Sequence, residues 1–128
     1  MNKDRFKFRL PFYNNNGEFS HFQYVDIIDG LKPYNAGVMF HRDEYEQCTG
    51  LKDKNGNLIY EGDIVKGRLF NPWHGETPNP KIKGVVCFVQ DRMTWIVEDG
   101  EDGYDFEDCM EEYFEIIGNI HEQAEQKD

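Results

Sequence analysis

Residues 47–65 read QCTGLKDKNGNLIYEGDIV, and this stretch decides the fold class. Asn55-Gly56 stands between two strand-forming segments, the strongest short hairpin signal, and predicts a type I′ turn with positive φ at both central positions. Gly50 suits a bulge or sharp bend, and Asp53 is placed to accept backbone N–H groups ahead of the turn. Leu58-Ile59-Tyr60 returns as a strand, Glu61-Gly62 turns the chain again, and a further strand is expected over residues 63–70. Turns this closely spaced belong to a β unit.

On the N-terminal side, residues 4–12 alternate: Asp4, Phe6, Phe8, Leu10 and Phe12 on one face, Arg5, Lys7 and Arg9 on the other. Period 2 with aromatics on one side predicts a half-buried strand. The run Asn14-Asn15-Asn16-Gly17 breaks it, and a second extended segment is expected over residues 18–28. Residues 31–46 are ambiguous, with Pro33 and Gly37 arguing against a long helix. On the C-terminal side, residues 71–80 (NPWHGETPNP) hold three prolines and read as a long excursion. Residues 81–90 contain Val85-Val86-Cys87-Phe88-Val89, expected to be a strand buried on both faces, followed by a strand over residues 93–98. Residues 104–113 are expected to hold one short helix, with Phe106, Met110 and Tyr113 at helical spacing. A last strand is expected over residues 114–121 and a frayed acidic tail over residues 122–128. The sum is a mainly β protein: a small SH3-like β-barrel over about residues 49–121, with an N-terminal β-strand extension and one short helix. The division is residues 1–46 as that extension, with oligomerisation as its expected role, residues 47–121 as the barrel, and the tail.

The chain has 128 residues and is 15% aromatic, with ten Phe, seven Tyr and two Trp to fill a core. Its net charge of −11 is uneven. Residues 98–128 carry 13 acidic side chains against one basic, so the first 97 residues are close to neutral. Cys48, Cys87 and Cys109 form no CxxC pair, which points to a reducing compartment. Residues 1–5 are charged with no apolar segment behind them, and no apolar run approaches a membrane span. A cytoplasmic protein is expected.

The stretch from Gln47 to Val65 closely resembles the signature of the YopX family, small proteins of phages and prophages. Lys7-Phe8-Arg9 and Glu115-Ile116-Ile117-Gly118-Asn119-Ile120 match more weakly and in family order. Two departures stand out: Cys48 replaces a usual aromatic, and Leu10-Pro11 stands where a Trp-Asp-like pair is common. The resemblance implies an SH3-like module and self-association; it carries over no catalytic residue.

Asp53-x-Asn55-Gly56-Asn57 looks like the opening of a calcium loop, but Leu58 and Ile64 occupy the places that need Gly and Glu, so the hairpin reading prevails. His21, His41, His74 and His121 show no zinc-ligand spacing. Ser20 is the only serine and belongs to no nucleophile motif. No cofactor, metal or enzyme activity is expected. Trp73, in the Pro-rich stretch, is a candidate partner anchor, weighed against folding back over the barrel. The acidic stretch Glu98, Asp99, Glu101, Asp102, Asp105, Glu107, Asp108, Glu111 and Glu112 is the other candidate partner-binding surface. Clustered carboxylates can imitate a phosphate row and occupy a nucleic-acid-binding protein; the plainer reading is a solubilising acidic face.

The expected function is a non-enzymatic phage or prophage accessory protein acting through protein–protein interaction and homo-oligomer assembly, with a basic host protein as one partner. One alternative is an acidic nucleic-acid mimic that inhibits a host nuclease or similar defence protein. The other is a nucleic-acid-binding barrel using Lys3, Arg5, Lys7 and Arg9, which the global charge opposes.

Overall fold

A computed structural model of the chain describes residues 3–26, 40–41, 45–70 and 80–125. Their strands form two five-stranded antiparallel sheets. In the first, β1 (Lys7–Tyr13) and β2 (Phe19–Asp26) make a hairpin. Its turn is held by Asn14, whose side-chain oxygen accepts the N–H groups of Asn16 at 2.9 Å and Glu18 at 3.0 Å. The other edge of β1 takes β3 (Phe40–His41) and β4 (Glu46–Lys52), and β4 pairs with β5 (Leu58–Tyr60). The second sheet contains β6 (Asp63–Arg68), β7 (Lys81–Val89), β8 (Thr94–Glu98), β9 (Gly103–Asp105) and β10 (Glu115–Asn119). Its order is β10-β6-β7-β8-β9, so the last strand closes back on the first.

The expected strand over residues 4–12 is corrected in two ways. Lys3–Phe6 is a 3-10 turn, and the strand begins at Lys7. Residues 9–13 are all buried, Arg9 included, so β1 has no wet face there. The physical reason is that β1 is an inner strand paired on both edges, and the charge of Arg9 is neutralised inside the protein.

The central hairpin forms where the sequence places it, with a different turn. Gly56 has φ +87°, and its N–H donates to the Asp53 carbonyl at 3.0 Å, while Met93 is the one non-glycine with positive φ among the described residues. Asn55 therefore stays at negative φ, and the turn is type I-like with a left-handed glycine after it, not type I′. Gly50, at φ +87°, sits in the expected bulge between Cys48 and Lys52.

Asp53 does what its position suggests, and more. Its Oδ1 accepts the N–H groups of Asn55 at 3.0 Å and Asn57 at 2.9 Å, and its Oδ2 accepts that of Ile116 in β10 at 3.1 Å. Lys54 N–H donates to the Phe114 carbonyl at 2.7 Å. One buried carboxylate thus fixes the hairpin and welds it to the second sheet. Asp53→Ala strands three backbone donors and is expected to lose about 2–3 kcal/mol in urea unfolding with an unchanged m-value. A loss under about 0.5 kcal/mol, the size of a neutral surface change, would show that water replaces the carboxylate.

The main core joins Ile59, Val65, Ile82, Val86, Val97, Phe106, Cys109 and Phe114. Ile59 comes from the first sheet, so the two sheets share it. In β7 only alternate residues are deeply buried: Ile82, Gly84 and Val86 point in, and Val85, Cys87, Phe88 and Val89 are half-buried. The expectation of a strand buried on both faces is corrected accordingly. Gly84 leaves no space for a side chain, since a Cβ there would lie 2.3 Å from the Glu98 carbonyl oxygen.

The single helix expected over residues 104–113 is absent. After β9 the chain makes two 3-10 turns, Phe106–Asp108 and Glu111–Tyr113. Phe106, Cys109 and Phe114 all point into the core from this crossover, and Cys109 also bridges to Leu69. Two tight turns bring those three anchors inward. The helix of the described chain is α1 (Ile120–Glu125), in the place of the expected tail. Asn119 caps it, accepting the N–H groups of His121 at 2.9 Å and Glu122 at 3.0 Å. Residues 126–128 lie outside the described residues, as does the excursion over residues 71–79. Among the described residues no helix is long and apolar enough to cross a membrane.

Candidate functional site

Side chains of the types used in catalysis meet in the interior, between the two sheets. Arg9 donates from Nε to Glu46 Oε1 at 2.7 Å, pairs through Nη1 with Asp63 Oδ1 at 2.8 Å, and donates from Nη2 to the Glu61 carbonyl at 3.1 Å. Its guanidinium stacks over Phe22, 3.8 Å from the ring centroid, with Tyr60 at 4.9 Å. Asp63 Oδ2 accepts the Tyr60 N–H at 2.8 Å. Burial is the larger influence on Asp63 and lifts its pKa above the ordinary value, with Arg9 pulling the other way. His121, at the start of α1, places Nε2 2.8 Å from Glu46 Oε2, while its Nδ1 faces the Tyr13 hydroxyl. Phe19 stacks on its ring.

Every polar partner in this cluster is another part of the chain, and the His121 side chain is 11% exposed. The cluster gathers β1, β4, β6 and α1 at one point, which makes it a structural clasp. Sequence reading placed Arg9 on a polar face and His121 as a surface or half-buried residue, and His121 is half-buried. The one local signal was the apolar run Leu10-Pro11-Phe12-Tyr13 directly after Arg9, which leaves an arginine little room to face water. Cys48 and Cys109 are buried and Cys87 half-buried: burial pushes the Cys109 pKa up to about 12, and raises those of Cys48 and Cys87. Among the described residues no three His, Cys, Asp or Glu side chains converge as a metal set.

The acidic candidates separate by role. Glu98 at the end of β8, Glu101 and Asp102 on the β8–β9 turn, and Glu107, Asp108, Glu111 and Glu112 on the two 3-10 turns of the crossover are exposed. Asp99 is exposed but occupied: its Oδ1 accepts the N–H groups of Asp102 at 2.8 Å and Glu101 at 3.1 Å. Those donors hold its carboxyl below the usual carboxylate range. Asp105 is half-buried and pairs with Arg92 at 3.0 Å. Trp73 lies outside the described residues. The basic N-terminal set is not one surface, because Arg9 is buried and Lys7 pairs with Asp4 at 3.0 Å. The side chains of Lys3 and Arg5 lie outside the described residues.

A basic face had no counterpart in the sequence reading. The register sets Lys66 opposite Lys83, Arg68 opposite Lys81, and Glu115 opposite Lys66 on its other edge. Directly paired residues leave the same face of a sheet, so four cations and one carboxylate share it. Lys54, from the central hairpin, reaches the same carboxylate: Glu115 Oε1 lies 3.4 Å from its Nζ and 3.2 Å from that of Lys66. Those two ammonium groups, Lys66 first, hold the Glu115 carboxyl below the ordinary range. Lys54, Lys66, Arg68, Lys81 and Tyr113 line a groove of about 290 Å³ there. The sequence signal was alternation, Lys66-Gly67-Arg68 and Lys81-Ile82-Lys83, whose charges add only once the strands pair. A wider groove of about 600 Å³ runs between Tyr24, Tyr60, Lys7, Lys52, Asp4 and Asp26, where two cations face two carboxylates.

The family model described as YopX protein matches residues 10–126. The chain belongs to the YopX family. A search of curated proteins finds no match. The YopX match takes in both the central signature over residues 47–65 and the closing strand, and begins just past Arg9, so the N-terminal likeness of Lys7-Phe8-Arg9 falls outside it. Within this YopX-family chain the signature residues do structural work: Gly50 bulges β4, Asp53 welds the sheets, and Asp63 holds Arg9.

Proposed function

We propose that the protein is a non-enzymatic accessory protein of a phage or prophage that acts in the host cytoplasm by binding other proteins, self-assembly included. The observation that carries this reading is the display of seven exposed carboxylates, four of them (Glu107, Asp108, Glu111 and Glu112) on short turns whose anchors, Phe106, Cys109 and Phe114, are buried. Carboxylates on fixed turns keep their spacing when a partner arrives, so little ordering entropy opposes binding. A basic surface is the complement such a display favours. The finer fold we propose is the SH3-like barrel over about residues 49–121; it is supported by β10 lying beside β6 and by the 3-10 turns that precede β10.

The test is capture from bacterial lysate at low and high salt by the tagged protein and by a variant carrying Glu101→Lys, Asp102→Lys, Glu107→Lys and Asp108→Lys. Asp99 is left intact because it shapes the turn. A basic protein held at low salt, released by salt and absent from the variant is the expected result. Capture of the same partners by both proteins would remove the carboxylates from the function.

A further inference from the structure

We infer that the groove lined by Lys54, Lys66, Arg68, Lys81 and Tyr113 is a nucleotide site, taking a phosphate ester attached to a flat ring. The inference does not depend on the acidic surface binding a partner, although Glu111 and Glu112 share the 3-10 turn of Tyr113. Four cations converge on a groove of about 290 Å³, near the lower end of the volumes that hold small ligands. Two of the groove's cations already hold an anionic oxygen: Glu115 Oε1 sits between the Lys54 and Lys66 ammonium groups. A phosphate brings more charge and more acceptor atoms than that carboxylate and competes for the same donors.

The second half of the ligand is specified by Tyr113. Tyr113 is 45% exposed, with the Arg68 guanidinium 5.7 Å from its ring centroid. An exposed aromatic beside an arginine offers a flat ring a stacking surface that a carboxylate-bearing peptide does not need. The exposed Glu111 and Glu112 next to Tyr113 in the chain repel an extended polyanion, which favours a compact nucleotide over a long strand. The protein's net charge of −11 makes the local sign of this groove the more specific.

The test is an amide chemical-shift titration of the full chain at low ionic strength with inorganic phosphate, AMP, a 5′-phosphorylated single-stranded oligothymidylate and poly-glutamate. AMP is expected to shift the amides of Lys66, Arg68, Lys81 and Tyr113. Lys66→Glu with Lys81→Glu should weaken AMP about tenfold or more, the loss of charge-assisted contacts. Tyr113→Ala should weaken AMP and leave phosphate unchanged. Glu115→Gln, which removes the internal competitor, should tighten AMP several-fold. If the oligonucleotide binds more tightly than AMP, the source of the nucleotide is a strand end; equal or weaker binding makes it a free nucleotide. The inference is overturned by an absence of shifts at about 10 mM AMP, weaker than any working affinity. It is equally overturned by AMP binding indifferent to the lysine reversals, or by poly-glutamate binding more tightly than AMP at the same amides.

Discussion

Arg9→Met is expected to destabilise the protein by about 3–5 kcal/mol, the usual cost of removing one partner from a buried ion pair. Methionine keeps much of the volume against Phe22 and Tyr60, so the loss isolates the charge. Glu46 and Asp63 are 7% and 3% exposed, and without the guanidinium two carboxylates face each other's field away from water. A domain of ordinary stability, roughly 5–15 kcal/mol, would lose a large part of it. Urea unfolding measures the effect. Arg9→Lys should restore only part, since one ammonium cannot reach Glu46, Asp63 and the Glu61 carbonyl in the geometry the planar fork provides. Adding Glu46→Gln and Asp63→Asn to Arg9→Met should recover much of the loss by removing the uncompensated charges. A cost for Arg9→Met below about 1 kcal/mol, the range of exposed pairs, would mean that water reaches the cluster.

Phe114→Ala is expected to cost about 3–5 kcal/mol, as large-to-small changes of buried aromatics do. Phe114 is fully buried, its ring centroid 5.2 Å from that of Phe106. Gly67 sits against the same ring: a Cβ there would lie 2.8 Å from Cδ1 of Phe114. The ring therefore fills a space defined from both sides, and neither the strand nor the crossover can collapse into the cavity without moving β10. Thermal and urea unfolding should both report the loss, and a cost near 1 kcal/mol would show that the crossover relaxes to fill the gap.

Much of the backbone was legible because it is encoded locally. Gly50, Asp53, Gly56 and Gly62 announce a bulge, a side-chain-to-backbone cap and two turns within a few residues of themselves. The same local logic overreached at residues 104–113. Phe106, Met110 and Tyr113 suit one helix face, yet the core takes Phe106, Cys109 and Phe114, and packing overrode the spacing. It also passed over Asn119, whose cap turns an apparent tail into α1. The type of the central turn was missed for a subtler reason: Asn-Gly permits positive φ at both positions, while Asp53 captures the N–H groups of Asn55 and Asn57 and holds Asn55 at negative φ.

The candidate surfaces divide in the same way. The carboxylates of residues 98–112 were visible as a run, since their density is a property of consecutive positions. Their roles were not: Asp99 serves its turn, and Asp105 is drawn in by Arg92, 13 positions earlier. The basic groove was invisible, because Lys54, Lys66, Arg68 and Lys81 belong to three separate segments that only strand register brings together.

The sequence by itself determined the β character, the turn positions, the family and the acidic C-terminal quarter, all of which follow from neighbours along the chain. Only the tertiary structure decided that Arg9 is a buried clasp, that His121 joins it, and that alternating lysines gather into one face. The first two depend on pairings across 37 and 75 positions, Arg9 with Glu46 and Glu46 with His121, and the lysine face on strand pairings across 17 and 13 positions, Lys66 with Lys83 and Arg68 with Lys81. Local preference carries no record of such pairings, because the free energy that selects them, shared burial and charge neutralisation, exists only once the distant segments have met.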